Sequence, residues 1–329
     1  MISIVIPAYN NLPKLRLLLE SLREALRDAP GTEVIVVDDC SEEDLGSVIR
    51  QDFGFARMER LPRRSGQATA RNTGAKIAGN DIVLFLDSDV IVRRDTVARV
   101  KKMFEDDAGM AALEGEYDTV PANPGFFPRF KGLEYRSFVR DQEYITVLGP
   151  RIGAIRRDVF MELGGFDQSY PGASVEDYEF SHRLHDKGYR IRYDRTLEVK
   201  HHFTDTILKQ FGLSFDRSKE WARLFARKRK FDNFGTTLPE GLGRFAGFAF
   251  LVSLPAAFIS AYFMILSGAL LVLYIALNRR FFALALREEG AYFTARAVPA
   301  HLLISFFITA GFICGIVTPT RRKNDRSVT

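Results

Sequence analysis

The chain has 329 residues, enough for one large or two modest domains, and its net charge of +5 is only mildly basic. No recognised nucleic-acid-binding module accompanies this charge, which argues against a nucleic acid partner. The two cysteines, Cys40 and Cys314, lie far apart, so we expect no disulfide framework and a reducing compartment. Residues 1–6 predict a strand instead of a cleavable signal peptide, and we therefore expect the globular part to lie in the cytoplasm.

Strands and helices alternate along the first part of the chain. Three short, almost wholly apolar runs predict strands at 3–7, 33–37 and 81–86. Helical periodicity and start signals predict helices at 12–26, 41–49, 68–78 and 95–104. This order predicts an α/β fold with a mostly parallel, doubly wound sheet, whose ligands bind beyond the carboxyl ends of the strands.

The order is less regular after residue 104. Residues 115–129 contain three prolines and two glycines, so we expect mostly loop there. Further strands are predicted at 149–155, 189–193 and 197–200. Further helices are predicted at 157–163 and 176–187, each ended by glycine.

The C-terminal third holds two long apolar stretches. Residues 245–277 and 297–320 contain no Asp, Glu, Lys or Arg, which is typical of membrane segments. One helix over 245–277 would be about 50 Å long against a hydrocarbon core of about 30 Å. We therefore predict a hairpin of two short transmembrane helices, bent at Pro255 or at Ser267-Gly268, followed by a last candidate span at 297–320.

Basic residues flank these stretches. Residues 209–244 hold nine Lys and Arg against four Asp and Glu, a pattern typical of attraction to anionic headgroups. The hairpin would put Arg244 and Arg279-Arg280 on one side, and residues 281–296 are predicted to be interfacial. The charges at 321–323 conflict with a last span that leaves the C-terminus outside, so two or three spans are expected.

Two carboxylates follow the third predicted strand. Asp87 and Asp89 are separated by one residue, so both side chains should point to the same face at the sheet edge. Two anionic oxygens there suit a hard divalent cation that also holds a diphosphate. A solvated turn is the structural alternative. Asp39, at the end of the second predicted strand, should face the same crevice.

Four blocks in order along the chain resemble family 2 glycosyltransferases with the GT-A nucleotide-sugar-binding fold. The blocks are residues 5–10, 33–41, 66–89, and 164–167 followed by 176–177. The resemblance covers roughly residues 1–205. It implies an enzyme that transfers a sugar from a nucleotide-sugar donor with inversion of the anomeric configuration.

The resemblance assigns residues to the donor side of the site. Pro7, Ala8 and Tyr9 would line the nucleotide pocket, and Asp39 would accept a hydrogen bond from the base, usually uracil. Arg71 would flank the donor and could fork onto phosphate oxygens, although a surface arginine is the alternative.

The resemblance also implies a metal site. Asp89 would coordinate Mn²⁺ or Mg²⁺, and Asp87 would contact the ribose or the metal, directly or through water. A histidine completes such sites in some relatives, and we assign His202, although the sequence does not decide between it and His201.

Glu176 and Asp177 begin a predicted helix and match the catalytic position of the family. Asp177 would act as the base that deprotonates an acceptor hydroxyl, with Glu176 as its neighbour in the site. Stabilisation of the helix N-terminus by both acids is the structural alternative.

The expected activity is addition of one sugar, from a UDP-sugar, to a hydroxyl of a membrane-associated acceptor such as a lipid-linked saccharide or glycolipid in cell-envelope glycan synthesis. A polyprenyl-phosphate glycosyltransferase and a non-catalytic membrane adaptor with a degenerate transferase domain are the alternatives. We expect a catalytic domain at 1–210, a basic interfacial segment at 211–244, a membrane region at 245–320 and a basic tail at 321–329. This predicts a multi-pass protein of the inner membrane with its catalytic domain in the cytoplasm.

Overall fold

The computed structural model describes residues 1–138, 142–170, 175–229, 231–232 and 236–318. These residues form two compact units, one within residues 1–123 and 140–202 and the other within residues 124–139 and 203–329. The segment near residue 130 therefore groups with the C-terminal part of the chain. The four-part segmentation expected from the sequence remains a prediction, as does the basic tail, which lies outside the described residues.

Among the described residues of the first unit, nine strands form one mixed sheet. The strands in chain order are β1 Ile2–Ala8, β2 Glu33–Asp38, β3 Ala56–Arg60, β4 Ile82–Leu86, β5 Val90–Val92, β6 Ala112–Tyr117, β7 Tyr144–Ile145, β8 Ile152–Arg156 and β9 Ile191–His201. Their spatial order is β3-β2-β1-β4-β8-β6-β9-β5, and β7 pairs with β9.

The helices in chain order are α1 Leu12–Ala25, α2 Leu45–Asp52, α3 Gln67–Ile77, α4 Thr96–Asp106, α5 Phe126–Phe138, α6 Arg157–Glu162, α7 Glu176–Asp186, α8 Ile207–Lys228, α9 Leu238–Ala257, α10 Ala261–Leu277 and α11 Arg279–Val317. A short 3₁₀ turn, Leu26–Asp28, extends α1. Helices α5 and α8–α11 belong to the second unit, and the others belong to the first.

The predicted α/β class is confirmed, but the sheet is parallel only over part of its width. Strands β3, β2, β1 and β4 are parallel to one another. Strand β8 then lies antiparallel to both β4 and β6, and β5 and β7 lie antiparallel to β9. An antiparallel neighbour needs no covering crossover helix, so the alternation of strands and helices that predicted a mostly parallel sheet ends at β4.

The loop predicted at 115–129 is confirmed for residues 118–125, but it is shorter than expected, because β6 continues to Tyr117 and α5 begins at Phe126. Gly115 was interpreted as a loop residue, yet a Cβ at this position would lie 2.4 Å from the Leu197 carbonyl oxygen. The glycine therefore permits close approach of β6 to β9 at an irregularity in their pairing. The strands predicted at 189–193 and 197–200 form the single strand β9.

Helix α3 lies against β1 and β2, which fixes where its first turn points. A Cβ on Gly74 would meet Val5 Cγ1 at 2.3 Å and Val37 Cγ2 at 3.2 Å, so only glycine allows this approach. Helix α3 begins after Gly66, whose φ of +92° favours glycine. The first turn of α3 thereby lies near the carboxyl ends of the parallel strands.

In the second unit, α9 and α10 form the predicted hairpin. The turn lies at residues 258–260, close to Pro255 and away from Ser267-Gly268, which lie inside α10. Helix α11 is broken at Gly290, where φ is +82° and ψ is −179°. Among the described helices, Arg279–Val317 alone is long and apolar enough to cross a membrane by length and composition, so a multi-pass arrangement is not supported.

Candidate active site

The residues predicted to line the nucleotide pocket lie at the carboxyl ends of the neighbouring strands β1 and β2. Pro7 and Ala8 are buried in β1, and the backbone N–H of Asp39 donates to Ala8 O at 2.8 Å. Tyr9 is half-buried, and the guanidinium of Arg64 lies 4.3 Å from its ring centroid, a cation–π contact. This edge of the sheet therefore carries the Tyr9 ring, the Arg64 guanidinium and the Asp39 carboxylate.

The two acids that follow β2 have different partners. Asp38 accepts from the Ser41 N–H at 2.8 Å and pairs with Arg60 at 2.7 Å, which is a structural arrangement. Asp39 accepts from the backbone N–H groups of Ser65 at 2.6 Å and Gly66 at 2.8 Å, immediately before α3. A carboxylate has about four lone-pair sites, so two such bonds leave Asp39 able to accept from a ligand.

Arg71 on α3 is buried, with 1% of its surface exposed, so it is not a surface arginine. Its guanidinium donates to Asp87 Oδ1 at 2.8 Å, to Glu176 Oε1 at 3.1 Å and to Gln67 Oε1 at 2.9 Å. It also lies 5.8 Å from the ring centroid of Phe166. One buried cation thus connects α3, the end of β4 and the first residue of α7.

Asp87 and Asp89 lie at the end of β4 and keep about a quarter of their side-chain surface exposed. Burial raises the pKa of Asp87, and the charge of Asp89 adds to this, against the opposite effect of Arg71. Burial would also raise the pKa of Asp89, but the hydrogen bond and charge of His201, together with Lys14 and His202, outweigh it and lower that pKa. Asp89 is therefore the carboxylate held ionised by its basic neighbours.

The two histidines at the end of β9 face different parts of Asp89. His201 Nε2 lies 3.3 Å from the Asp89 carboxylate, and its ring lies 4.8 Å from that of Tyr117. His202 Nδ1 lies 3.2 Å from the backbone oxygen of Asp89, and burial lowers the pKa of His202. No three His, Cys, Asp or Glu side chains within the described ranges are gathered as a metal-ligand group. The structure thus brings His201, and not the assigned His202, to the carboxylate.

Glu176 and Asp177 begin α7 as predicted and differ in exposure. Glu176 is 3% exposed and bonded to Arg71, whereas Asp177 is half-buried and its Oδ1 accepts from the Tyr178 N–H at 2.9 Å. The Ser181 hydroxyl donates to the Asp177 backbone oxygen at 2.6 Å and accepts from the Leu148 N–H at 2.9 Å. These bonds fix the first turn of α7 against the loop before β8.

A second buried polar group lies on β6, on β9 and in the loop before β8, and it was not predicted. Glu114 pairs with Arg151 at 3.1 Å and accepts from the Gly149 N–H at 2.8 Å. Tyr193 donates to Glu116 at 2.6 Å. Burial raises the pKa of Glu114 well above its usual range, with contributions from Glu116 and Asp177, even though Arg151 lies beside it. This group was not predicted, because no strand was expected at 112–117 and residues from 115 onward were expected to be mostly loop.

The chain is similar to known glycosyltransferases. The family model described as Glycosyl transferase family 2 matches residues 3–164. An uncharacterized glycosyltransferase of Haemophilus influenzae is 30% identical over 190 residues, which cover 56% of this chain and 62% of that protein. A pre-mycofactocin glycosyltransferase of Mycobacterium tuberculosis is 33% identical over 218 residues, which cover 61% of this chain and 42% of that protein.

One solved structure is similar over nearly the whole chain. The mannosyltransferase PcManGT of Pyrobaculum calidifontis, in complex with GDP-Man and Mn²⁺, matches with a TM-score of 0.59 and 18% identity, covering 96% of this chain and 87% of that one. This likeness shows the GT-A fold. Residues 3–164 therefore match a glycosyltransferase family 2 domain, which agrees with the predicted enzyme class. The chain matches less than two thirds of the length of the two curated relatives.

Proposed function

We propose that this protein transfers one sugar from a nucleotide-sugar, a UDP-sugar, to a hydroxyl of a membrane-associated acceptor such as a lipid-linked saccharide or glycolipid in cell-envelope glycan synthesis. The observation that carries this proposal is the position of Arg71 between Asp87 and Glu176. Asp87, on the proposed donor side, and Glu176, which precedes the proposed base Asp177, both accept from this one guanidinium. Such a shared support suits a reaction in which donor and acceptor must be held in line.

On the donor side, Tyr9 and Asp39 would hold the base. Asp89 and His201 would supply one oxygen and one nitrogen ligand to Mn²⁺ or Mg²⁺, a donor set that fits these ions. The Mn²⁺ reported for the mannosyltransferase structure supports a divalent ion. When bound, the metal would act as a Lewis acid that stabilises negative charge on the departing diphosphate.

On the acceptor side, we assign the base to Asp177 and a positioning role to Glu176. Glu176 is buried and its carboxylate accepts from Arg71, so it holds α7 in place. Asp177 is accessible, and in an in-line attack it would take the acceptor proton as the hydroxyl oxygen approaches the anomeric carbon opposite the diphosphate. This geometry inverts the anomeric configuration.

We place the protein at the cytoplasmic face of the inner membrane. The apolar helix α11 and the uncharged residues 245–277 support membrane association. A membrane-bound enzyme has ready access to acceptors that carry a lipid.

The donor site can be tested by calorimetry on the full chain in detergent with UDP-, GDP- and dTDP-sugars, with and without Mn²⁺. We expect one donor to bind only with the metal, and Asp89→Asn to weaken this binding by at least about tenfold, since it removes a charged ligand. Asp28→Asn is the matched control, because Asp28 pairs with Arg94 at the surface. Failure of every donor to bind under all conditions would contradict the proposal.

The acceptor class can be tested with Asp177→Asn. With a hydroxyl acceptor, we expect the transfer rate to fall by about 10²–10⁴-fold at unchanged donor affinity, since a general base contributes about this much. A polyprenyl phosphate is already anionic and needs no base. Retained activity of Asp177→Asn toward polyprenyl phosphate would therefore favour the alternative enzyme, and donor binding without transfer to any acceptor would favour the non-catalytic adaptor.

A further inference from the structure

The C-terminal half of α11 packs along α8, and the two helices run in the same direction. Near their beginnings, the rings of Phe211 and Phe307 stack with centroids 4.4 Å apart. Near their ends, the Arg223 guanidinium donates to Thr318 Oγ1 at 3.2 Å. Since residue numbers on both helices increase together between these contacts, the pairing is parallel and extends over three turns of α8.

Two glycines one helical turn apart make this pairing very close. A Cβ on Gly311 would lie 2.3 Å from the backbone oxygen of Phe215, and a Cβ on Gly315 would lie 2.3 Å from that of Lys219. Side chains at these positions would push the helices apart. The two helices therefore share one depth relative to any membrane that contains α11.

Helix α8 carries charges along the paired stretch. Asp216 and Arg217 are exposed, and Lys219, Glu220 and Arg223 are half-buried. If α11 crossed the hydrocarbon core, α8 would carry these five charges into the core beside it, and at least two would face lipid. The length and composition of α11 would allow it to cross a membrane, but the charges on α8 make this crossing unfavourable. The two helices therefore belong at the membrane surface.

The α9–α10 hairpin has the opposite character. Its arms are in register, because a Cβ on Gly243 would lie 2.8 Å from Asn278 Nδ2 and the hydroxyl of Ser253 lies 2.7 Å from that of Ser267. The uncharged part of α9, residues 245–257, is about 20 Å long, and α10 is about 25 Å long. Both arms are shorter than a hydrocarbon core of about 30 Å.

Among the described residues of the second unit, the hairpin turn holds the two most exposed large apolar side chains. Phe258 is 88% exposed and Ile259 is 84% exposed, and residues 245–277 around the turn contain no Asp, Glu, Lys or Arg. The opposite end of the hairpin carries exposed Arg279 and Arg280, which suit anionic headgroups. A hairpin that crossed completely would place its apolar turn in water, whereas one that ends inside the acyl region would cover it with lipid.

We infer that the second unit is a monotopic membrane module. The hairpin of residues 245–277 enters the bilayer from one side and turns back within the acyl region, while α8 and α11 lie at the surface on the side of entry. No described helix crosses the membrane. This inference rests on the membrane association proposed above and names its partner as a bilayer with anionic headgroups, entered from one face.

The test uses full-length single-cysteine variants in a Cys40→Ser, Cys314→Ser background. Ile259→Cys marks the hairpin turn, Val317→Cys marks the end of α11, and Met161→Cys, 43% exposed in the first unit, is the aqueous reference. Each is reconstituted in vesicles of phosphatidylethanolamine and phosphatidylglycerol. Labelling with a membrane-impermeant maleimide is measured in sealed vesicles, in vesicles opened by a pore-forming toxin, and in detergent.

We expect Val317→Cys to be labelled in the same fraction of sealed vesicles as Met161→Cys, and Ile259→Cys to be labelled only in detergent. Labelling of Val317→Cys or Ile259→Cys from the face opposite Met161→Cys would show a crossing helix and overturn the inference. Labelling of Ile259→Cys on the same face as Met161→Cys would show that the hairpin stays out of the bilayer.

Flotation of the unlabelled chain with the vesicles is measured in parallel. A chain that does not float would overturn the membrane association itself, and a chain that floats with a transmembrane labelling pattern would overturn only the monotopic arrangement.

Discussion

Replacement of Arg71 by methionine tests whether one buried cation supports both sides of the site. Methionine fills a similar volume but cannot donate to Asp87, Glu176 or Gln67. The Glu176 side chain is 4% exposed, so its carboxylate would lose the guanidinium that balances its charge and would gain little water. Asp87 is 25% exposed, so solvent would compensate part of its loss.

These exposures give the expected size of the effect. Removal of one partner from a buried ion pair costs about 3–5 kcal/mol of unfolding free energy. Because one of the two carboxylates is partly solvated, we expect a value near the lower end, about 3 kcal/mol. Arg94→Met is the matched control, since its ion pair with Asp28 has side-chain exposures of 65% and 43%. An exposed pair of this kind contributes about 0–1 kcal/mol.

The assay is hydrogen–deuterium exchange on the full chain, with peptides from β1 and β4 that report opening of the first unit alone. Arg71→Met should lower the opening free energy of these peptides, and adding Glu176→Gln should restore part of it, because the unbalanced buried charge is then absent. An effect of Arg71→Met no larger than that of Arg94→Met, or no recovery in the double variant, would refute this account of the site.

Three further predictions concern other groups. His201→Gln should weaken Mn²⁺-dependent donor binding in calorimetry while His202→Gln should not, since only His201 faces the Asp89 carboxylate; the reverse order would favour His202 as the ligand. Burial raises the pKa of Glu114 in the folded state, so the stability that its protonated form contributes should be lost as pH rises through that pKa. When urea unfolding is measured from about pH 5 to pH 8, the unfolding free energy of the wild type should therefore fall relative to that of Glu114→Gln. Parallel pH dependences of the two proteins would contradict this. Glu134→Gln should lower the melting temperature, because Glu134 balances buried Arg244, whereas an unchanged melting temperature would show that the pair is dispensable.

The positions of the acids that we propose for the donor side were predictable, because these acids follow apolar runs. Strands β2 and β4 are almost continuous runs of Val, Ile, Leu and Phe, and such runs predict buried parallel strands within one or two residues of their true ends. The rule that ligands bind beyond the carboxyl ends of strands then places Asp39 and Asp87 at one edge. Here local composition and sheet geometry lead to the same answer.

The partners of these residues were not predictable in the same way. Arg71 and Glu176 are 105 positions apart, and periodicity assigns a residue to a face without naming what it meets. Arg71 therefore read equally well as an exposed arginine. Glu114 and Arg151 were missed for a related reason, since Gly115 interrupts the strand pattern and its purpose, close approach to Leu197, is visible only with β9 in place.

The charge pattern of the C-terminal region was informative although it contradicted the expected spans. The positive-inside rule applies to loops that flank crossing helices, and the basic residues 321–323 violated it only because 297–320 was taken to cross. With α11 at the surface beside α8, the stretch 297–320 no longer crosses the membrane, and the conflict disappears. A hydropathy window cannot detect this, because it averages along one helix and ignores the Ser218 hydroxyl and the charged neighbours that pack against it. When the apolar length of a helix and the placement of charges disagree, the charges on the helix packed beside it indicate whether it can cross the membrane.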